Sequence, residues 1–466
     1  LVFVFIDGHE IITDFVLSSI PHFIYGNILR IIYRQADQRQ HLAGLVVHHN
    51  RRAVLAPGEA AAGKGGSNMG ELKNVIVGQS GGPTAVINSS LAGVFRTAKM
   101  NGAENIYGMR YGIQGLLEEK YVNMSDYIKS ELEIELLKRT PSSYLGSCRY
   151  KLPAIGENDS VYEKIFSILN KMEIDAFFYI GGNDSMDTIA KLSTYAEQIN
   201  SPIRFIGVPK TIDNDLAVTD HTPGFGSAAK FIASTVKELS RDALVYDASS
   251  VTVLEIMGRN AGWLTAATAL ARGEDCSGPD LILLPELPVD INEVVEKIAE
   301  LQKKKKSVVV AISEGVKGPD GKYLCETLAS SRDTVDAFGH KALTGSGRYV
   351  ADKVAEELKC KTRAVEFSTL QRCASHIVAR VDMTEAFQVG ASAVMAAING
   401  ETGKMITLVR KMAEPYICVT DVYDVKKIAN LEKKLPVEWI DKDNYWVTDD
   451  FIFYARPLIQ AELYPF

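Results

Sequence analysis

The sequence predicts an α/β protein with two doubly wound, mostly parallel sheets, and three observations lead there. Short apolar runs recur from Asn74-Val75-Ile76-Val77-Gly78 to the run at 405–409. Each is followed by a glycine-containing turn and then a segment of helical period, as at 86–100, 186–198 and 261–272, which is the alternation of βαβ units. At 466 residues the chain also exceeds what one hydrophobic core ordinarily organises. Because the alternation runs almost to the C-terminus, the second unit is expected to be α/β rather than a helical cap.

The first 68 residues differ in kind. They hold none of the eleven methionines and five of the eight histidines (His9, His22, His41, His48 and His49). They end in the linker-like run 56–68, rich in Ala, Gly and Ser. Residues 1–68 therefore read as an N-terminal extension outside the α/β fold, with Met69 as the expected natural start. The apolar opening Leu1-Val2-Phe3-Val4-Phe5-Ile6 is interrupted by Asp7, His9, Glu10 and Asp14, with no basic segment before it. Neither a signal peptide nor a membrane helix is expected. Two α/β units are expected beyond it, over 69–210 and 211–466, with C-terminal segments returning to the first.

A net charge of −7 supplies no basic field for nucleic acid or an anionic membrane surface. Any anionic ligand must be met by local cations. Lys303-Lys304-Lys305-Lys306 reads as the solvated end of a helix. The six cysteines are dispersed without a C-x-x-C pair, which argues against a zinc site or a disulfide framework and for a reducing cytoplasm.

The chemistry concentrates in loops beyond strands, where open α/β sheets bind ligands. Pro209 stops the strand at 204–208, and the loop Lys210-Thr211-Ile212-Asp213-Asn214-Asp215 follows. A lysine, a hydroxyl and two carboxylates suit phosphoryl transfer to an alcohol, with Asp213 or Asp215 as base and Lys210 as cation. A turn with self-bonded Asx side chains is the competing reading. In Gly78-Gln79-Ser80-Gly81-Gly82-Pro83-Thr84, small residues let backbone N–H groups approach a phosphate at a helix N-terminus. This loop is neither a Walker A sequence nor G-x-G-x-x-G. Gly181-Gly182-Asn183-Asp184-Ser185 also opens a helix after an apolar strand, although helix capping alone would account for its polar residues. Arg259, Glu314, Arg363 and Arg372 stand beside later strands. Arginine suits bidentate phosphate contact and a carboxylate suits sugar hydroxyls, while each alone also reads as a surface ion pair. One shared crevice is the economical explanation for all of these loops.

Taken in order, Ser80-Gly81-Gly82, Gly146-Ser147-Cys148-Arg149, Gly181-Gly182-Asn183-Asp184-Ser185, Pro209-Lys210-Thr211-Ile212-Asp213-Asn214-Asp215, Met257-Gly258-Arg259, Glu314-Gly315 and Gln371-Arg372 resemble the motifs of the phosphofructokinase family. The likeness runs from Met69 to the C-terminus and is greatest to the pyrophosphate-dependent members. It implies two α/β domains of the phosphofructokinase type, donor-side over 69–210 and substrate-side over 211–466. It implies reversible phosphoryl transfer from pyrophosphate to the 1-hydroxyl of fructose 6-phosphate, with Mg²⁺. By position, Asp213 is the implied base, assisted by Lys210 and Asp184. Thr211, Ile212, Asp213, Met257, Gly258, Arg259, Glu314, Thr369 and Arg372 are the implied sugar phosphate site. Arg363 matches an arginine that reaches the 6-phosphate, in several members from a neighbouring subunit, and a homodimer or homotetramer is expected. Gly81, Arg149 and Lys210 are implied on the phosphoryl donor, and Asn183 and Asp184 at the metal. Asn183 departs from the Asp or Glu of many relatives, and Thr369 from their histidine or tyrosine.

ATP-using members carry glycine where Asp184 and Lys210 stand, so this pair is expected to exclude a nucleotide α-phosphate by space and like charge. An ATP-dependent enzyme and a non-catalytic sugar-phosphate sensor are the alternatives. A nicotinamide-binding or NAD-kinase-like protein is disfavoured because no acidic residue with dinucleotide-fold spacing follows Gly81-Gly82.

Overall fold

The computed structural model describes residues 72–327 and 345–459, all within the unit Met69–Phe466. The expectations for residues 1–68 and for Met69 lie outside them. The apolar runs form β1 (Asn74–Gln79), β2 (Asn105–Met109), β3 (Tyr121–Asn123), β4 (Ala176–Gly181) and β5 (Arg204–Pro209). A second sheet holds β6 (Ser250–Ile256), β7 (Leu281–Leu283), β8 (Ser307–Ser313) and β9 (Lys361–Glu366), in the order β7-β8-β6-β9 with every pair parallel. The chain then returns to the first sheet as β10 (Lys404–Met412) and β11 (Ile417–Asp424). That sheet runs β11-β10-β5-β4-β1-β2-β3 and is parallel except for β3 and β11 at its edges. Two mostly parallel α/β sheets are what the alternation predicts.

Two elements differ from the periodic pattern. The run at 261–272 is α-helical only over Trp263–Ala266 and continues as a 3₁₀ turn over Ala267–Ala271. The Thr268 hydroxyl donates to the Thr265 carbonyl at 2.6 Å, and such local bonding tightens a helical turn. β11 was not expected, because an edge strand with one solvated face carries Thr, Asp and Tyr among its apolar residues.

Helix packing sets how the first glycine loop meets the C-terminal half of the chain. Helix Ile87–Met100 follows that loop, and helix Arg380–Ile398 follows the Gln371-Arg372 segment. A Cβ on Gly93 would lie 2.1 Å from the Phe387 carbonyl oxygen, and one on Gly390 would lie 2.1 Å from that of Ser90. Only paired glycines allow the two backbones this close. The Ser89 hydroxyl donates to the Met383 carbonyl at 2.7 Å across the same contact.

A buried polar network ties the stretch after β5 to helix Arg380–Ile398. His221 is 1% exposed, with Nδ1 2.8 Å from Asp220 Oδ1 and Nε2 2.7 Å from Glu385 Oε2. Arg410 Nη2 donates to Asp220 Oδ1 at 2.9 Å, and the Tyr416 hydroxyl to Glu385 Oε1 at 2.7 Å. Burial opposes a charge on His221, but Glu385 and Asp220 outweigh it and raise the imidazole to about 9. No helix of the described residues is long and apolar enough to cross a membrane. All six cysteines are free.

Gly390→Ala is expected to lose about 1–3 kcal/mol through overpacking, read as a lower denaturant midpoint at unchanged slope. His221, raised in the folded state above its unfolded value of roughly 6.5, stabilises fully below that value. The contribution fades as pH rises through about 9. The difference in unfolding free energy between wild type and His221→Gln should therefore shrink from pH 6.5 to about 9; a difference constant with pH would contradict a charged His221.

Candidate active site

Register brings the loops together. In the parallel neighbours β1, β4 and β5, Gln79 lies opposite Ile180 and Gly181 opposite Pro209. Three chains therefore leave the sheet from one edge. Ser80 N–H donates to the Ile180 carbonyl at 2.9 Å and Lys210 N–H to the Gly181 carbonyl at 3.0 Å, extending the ladder into the loops. The segment before Arg149 is joined to the same place, since the Ser147 hydroxyl donates to the Gly81 carbonyl at 2.6 Å.

Lys210 crosses between loops. Its side chain is 2% exposed, and Nζ donates to the Gly82 carbonyl at 2.7 Å. A Cβ on Gly81 would stand 3.2 Å from that nitrogen. Burial lowers the ammonium to about 8, although Asp213 and Asp215 favour its charge; Arg372 and Arg149 lower it further. The carboxylates acting most strongly on Lys210 are thus those of its own loop. Asp184 was the partner expected from sequence.

The loop does contain a turn, because Asp213 N–H donates to Thr211 Oγ1 at 3.1 Å. The turn accounts for its shape and not for the charges gathered in it. Asp213, Asp215 and Glu314 keep an edge to solvent yet are deeply desolvated. Burial raises Asp213 against the pull of Lys210. It pushes Asp215 up to about 7, helped by Asp213 and Glu432, and Glu314 up to about 8, helped by Asp213. Asp213 and Asp215 titrate together as neighbours in one loop, and Glu314 feels the charge of Asp213.

The second sheet delivers its residues by the same register argument. Ile256 of β6 lies opposite Ser313 of β8, so Met257-Gly258-Arg259 and Glu314-Gly315 leave side by side. Gly258 N–H donates to Glu314 Oε1 at 3.4 Å, and Met257 N–H to Gln371 Oε1 at 3.3 Å. A Cβ on Gly315 would lie 1.8 Å from the Arg259 carbonyl oxygen. Arg372 reaches the first glycine loop, with Nη1 3.3 Å from where a Gly82 Cβ would stand. Ile212 is buried in the hydrophobic cluster that holds Phe225 and Ile256. Two predicted residues face solvent. Arg363, in mid β9, pairs with Asp242 at 2.8 Å with 47% of its side chain exposed, and Thr369 is exposed at the start of the short helix Leu370–Cys373.

Asn183 and Asp184 are not caps. Helix Asn183–Gln198 has Gly182 at its N-cap with no side-chain cap bond, so both residues lie within its first turn. Asn183 Nδ2 donates to Asp215 Oδ2 at 3.3 Å, while Asn183 Oδ1 is buried without a hydrogen-bond partner. An orphaned amide oxygen beside a carboxylate fits a hard cation. Among the described residues no three His, Cys, Asp or Glu side chains form a metal cluster.

Sequence reasoning missed Glu432, Lys433 and Tyr454. Lys433 N–H donates to the Asp215 carbonyl at 2.7 Å, and its Nζ donates to the carbonyls of Thr219 at 3.1 Å and Asp220 at 2.8 Å. Leu431-Glu432-Lys433-Lys434 carries the composition of an ordinary surface segment, and nothing in it signals contact with a loop two hundred residues earlier.

Comparison with known proteins gives the same reading of the fold. The phosphofructokinase family pattern matches residues 74–397. A pyrophosphate–fructose 6-phosphate 1-phosphotransferase of Methylococcus capsulatus is 39% identical over 84% of this chain and 93% of its own length. One of Halomonas elongata is 38% identical with the same coverage. The crystal structure of a pyrophosphate-dependent phosphofructokinase from Nitrosospira multiformis, 38% identical, superposes with a TM-score of 0.75 over 84% of this chain and 93% of that one. With two mostly parallel α/β sheets, a glycine loop bridged by a buried lysine to the loop after β5, and this extent of likeness, the chain belongs to the phosphofructokinase family.

Proposed function

We propose that the protein reversibly transfers a phosphoryl group from pyrophosphate to the 1-hydroxyl of fructose 6-phosphate, giving fructose 1,6-bisphosphate and phosphate. The observation that carries the choice of donor is the buried Lys210 side chain reaching Gly82. It fills the space beside the first glycine loop with a cation, where a larger nucleotide phosphate would need room. The relatives named above act on pyrophosphate and fructose 6-phosphate by their names, which supports the same pair here.

In this reading the donor-side domain is 69–210, with the returning C-terminal segments, and the substrate-side domain is 211–466. Asp213 accepts the proton of the 1-hydroxyl as its oxygen bonds to the near phosphorus and the bridging P–O bond breaks, releasing phosphate. Desolvation makes that carboxylate a stronger base than one in water. Lys210, with Arg149 and the backbone at Gly81, meets the charge that grows on the leaving phosphate. Thr211, Met257, Gly258, Arg259, Glu314 and Arg372 orient the sugar phosphate. Asn183 and Asp184 would hold Mg²⁺, which would supply positive charge to offset that of the phosphates. Arg363, on edge strand β9, would serve the 6-phosphate of a neighbouring subunit in a homodimer or homotetramer, and Thr369 would line the sugar phosphate site. The free cysteines support a cytoplasmic setting.

Asp213→Ser is expected to lower kcat about 10²- to 10⁴-fold in a coupled assay with pyrophosphate; wild-type turnover in this variant would remove Asp213 from the chemistry. Asp184→Gly combined with Lys210→Gly should raise the ratio of ATP to pyrophosphate kcat/KM by about 100-fold or more, the equivalent of about 2.7 kcal/mol of relieved exclusion. A donor ratio unchanged from wild type would defeat the exclusion argument.

A further inference from the structure

We infer that the Tyr454 hydroxyl is a positioning group for Asp213, holding the base through Asn214; the inference rests on the reading of Asp213 as base. Asn214 separates the two carboxylates of the loop. It is fully buried and sits at φ +55°, in the left-handed region. Asparagine enters that region more readily than other side-chain-bearing residues but still needs a reason to stay there. Its side chain supplies one at each end. Asn214 Oδ1 accepts from Thr222 N–H at 3.0 Å, and Nδ2 donates to the Tyr454 hydroxyl at 2.8 Å, 240 residues away in the chain.

The protons in this bridge have one arrangement. An amide nitrogen only donates, so the phenol oxygen accepts from Asn214, and its own proton goes to the Asp220 carbonyl, an obligate acceptor 2.8 Å away. One hydroxyl thus joins the centre of the loop to its far limb. The ring that carries it is held on several sides. Trp263 and Trp439 lie 5.3 and 5.4 Å away between ring centroids, and the Arg410 guanidinium lies 4.7 Å from the ring centre. Arg410 Nη1 also donates to the Tyr454 carbonyl at 2.9 Å. The C-terminal helix Asp449–Ile459 thereby fixes a point in space against which the Asp213 peptide is set.

The experiment compares Tyr454→Phe, which keeps the ring and removes the hydroxyl, in wild-type and Asp213→Ser backgrounds. With Asp213 present, kcat should fall about tenfold or more, since small misplacements of a reacting group are costly. KM for both substrates should stay within about twofold. With Ser at 213, the same change should cost less than about twofold, because there is no base left to position. Asn214→Gly, which keeps the left-handed backbone and removes the amide, should reproduce the kcat loss and be non-additive with Tyr454→Phe. This variant reads the brace from the other end if Tyr454→Phe fails to fold. Wild-type kcat in Tyr454→Phe overturns the inference, as does an equal loss in both backgrounds, which marks a general structural effect. Full turnover by Asp213→Ser overturns the base assignment and the inference together, whereas a crippled Asp213→Ser beside an intact Tyr454→Phe overturns this inference alone.

Discussion

A single ammonium group, Lys210 Nζ, is buried between two loops and anchored on the Gly82 carbonyl. Taking a cation out of water is costly unless opposite charges surround it, and here Asp213 and Asp215 do so from its own loop. The cost runs in both directions. The same burial raises both carboxylates, so the two acids and the lysine can remain together only while the loops around them hold their shape. The backbone braces of the loop, the register of the strands and the glycine contact between two helices all answer that requirement.

Electrostatic crowding also shapes the proposed chemistry. A carboxylate raised by desolvation is a better base, and a lysine lowered to about 8 has much to gain from an incoming anion. Glu314, raised to about 8 largely by burial and then by Asp213, ties the second sheet into the same field. Neither sheet alone assembles the group. Lys210 and Asp213 hang from β5, Glu314 from β8, and Arg372 from the segment after β9, so the field exists only where the carboxyl edges of both sheets meet.

Much of this was legible in sequence, because strand, turn and helix periods are local properties. The loops at Gly81, Asn183, Lys210, Met257 and Glu314 were each found by their place after an apolar run. Their convergence follows once the sheets are parallel, since a parallel register sends every such loop to one edge. Other parts left no local trace. The 3₁₀ turn at Ala267–Ala271 depends on a threonine hydroxyl bond, and β11 is an edge strand whose partner, β10, supplies half of its definition. Lys433 and Tyr454 look like a surface lysine and an amphipathic aromatic until the chain returns them beneath the Asp213 loop.

The sequence by itself determined the α/β class, the ordered set of loop motifs and the residue types available for catalysis. Those are written in spacing and chemical identity. Only the tertiary structure decided which charges feel one another. Lys210, expected to work with Asp184, also stands in the field of Asp213, Asp215, Arg372 and Arg149, and Asn214, read as part of a turn, is the buried link between the Asp213 loop and the C-terminal helix. Burial and proximity between distant segments set the strength of every charge in the site, and both come into being only when the core closes.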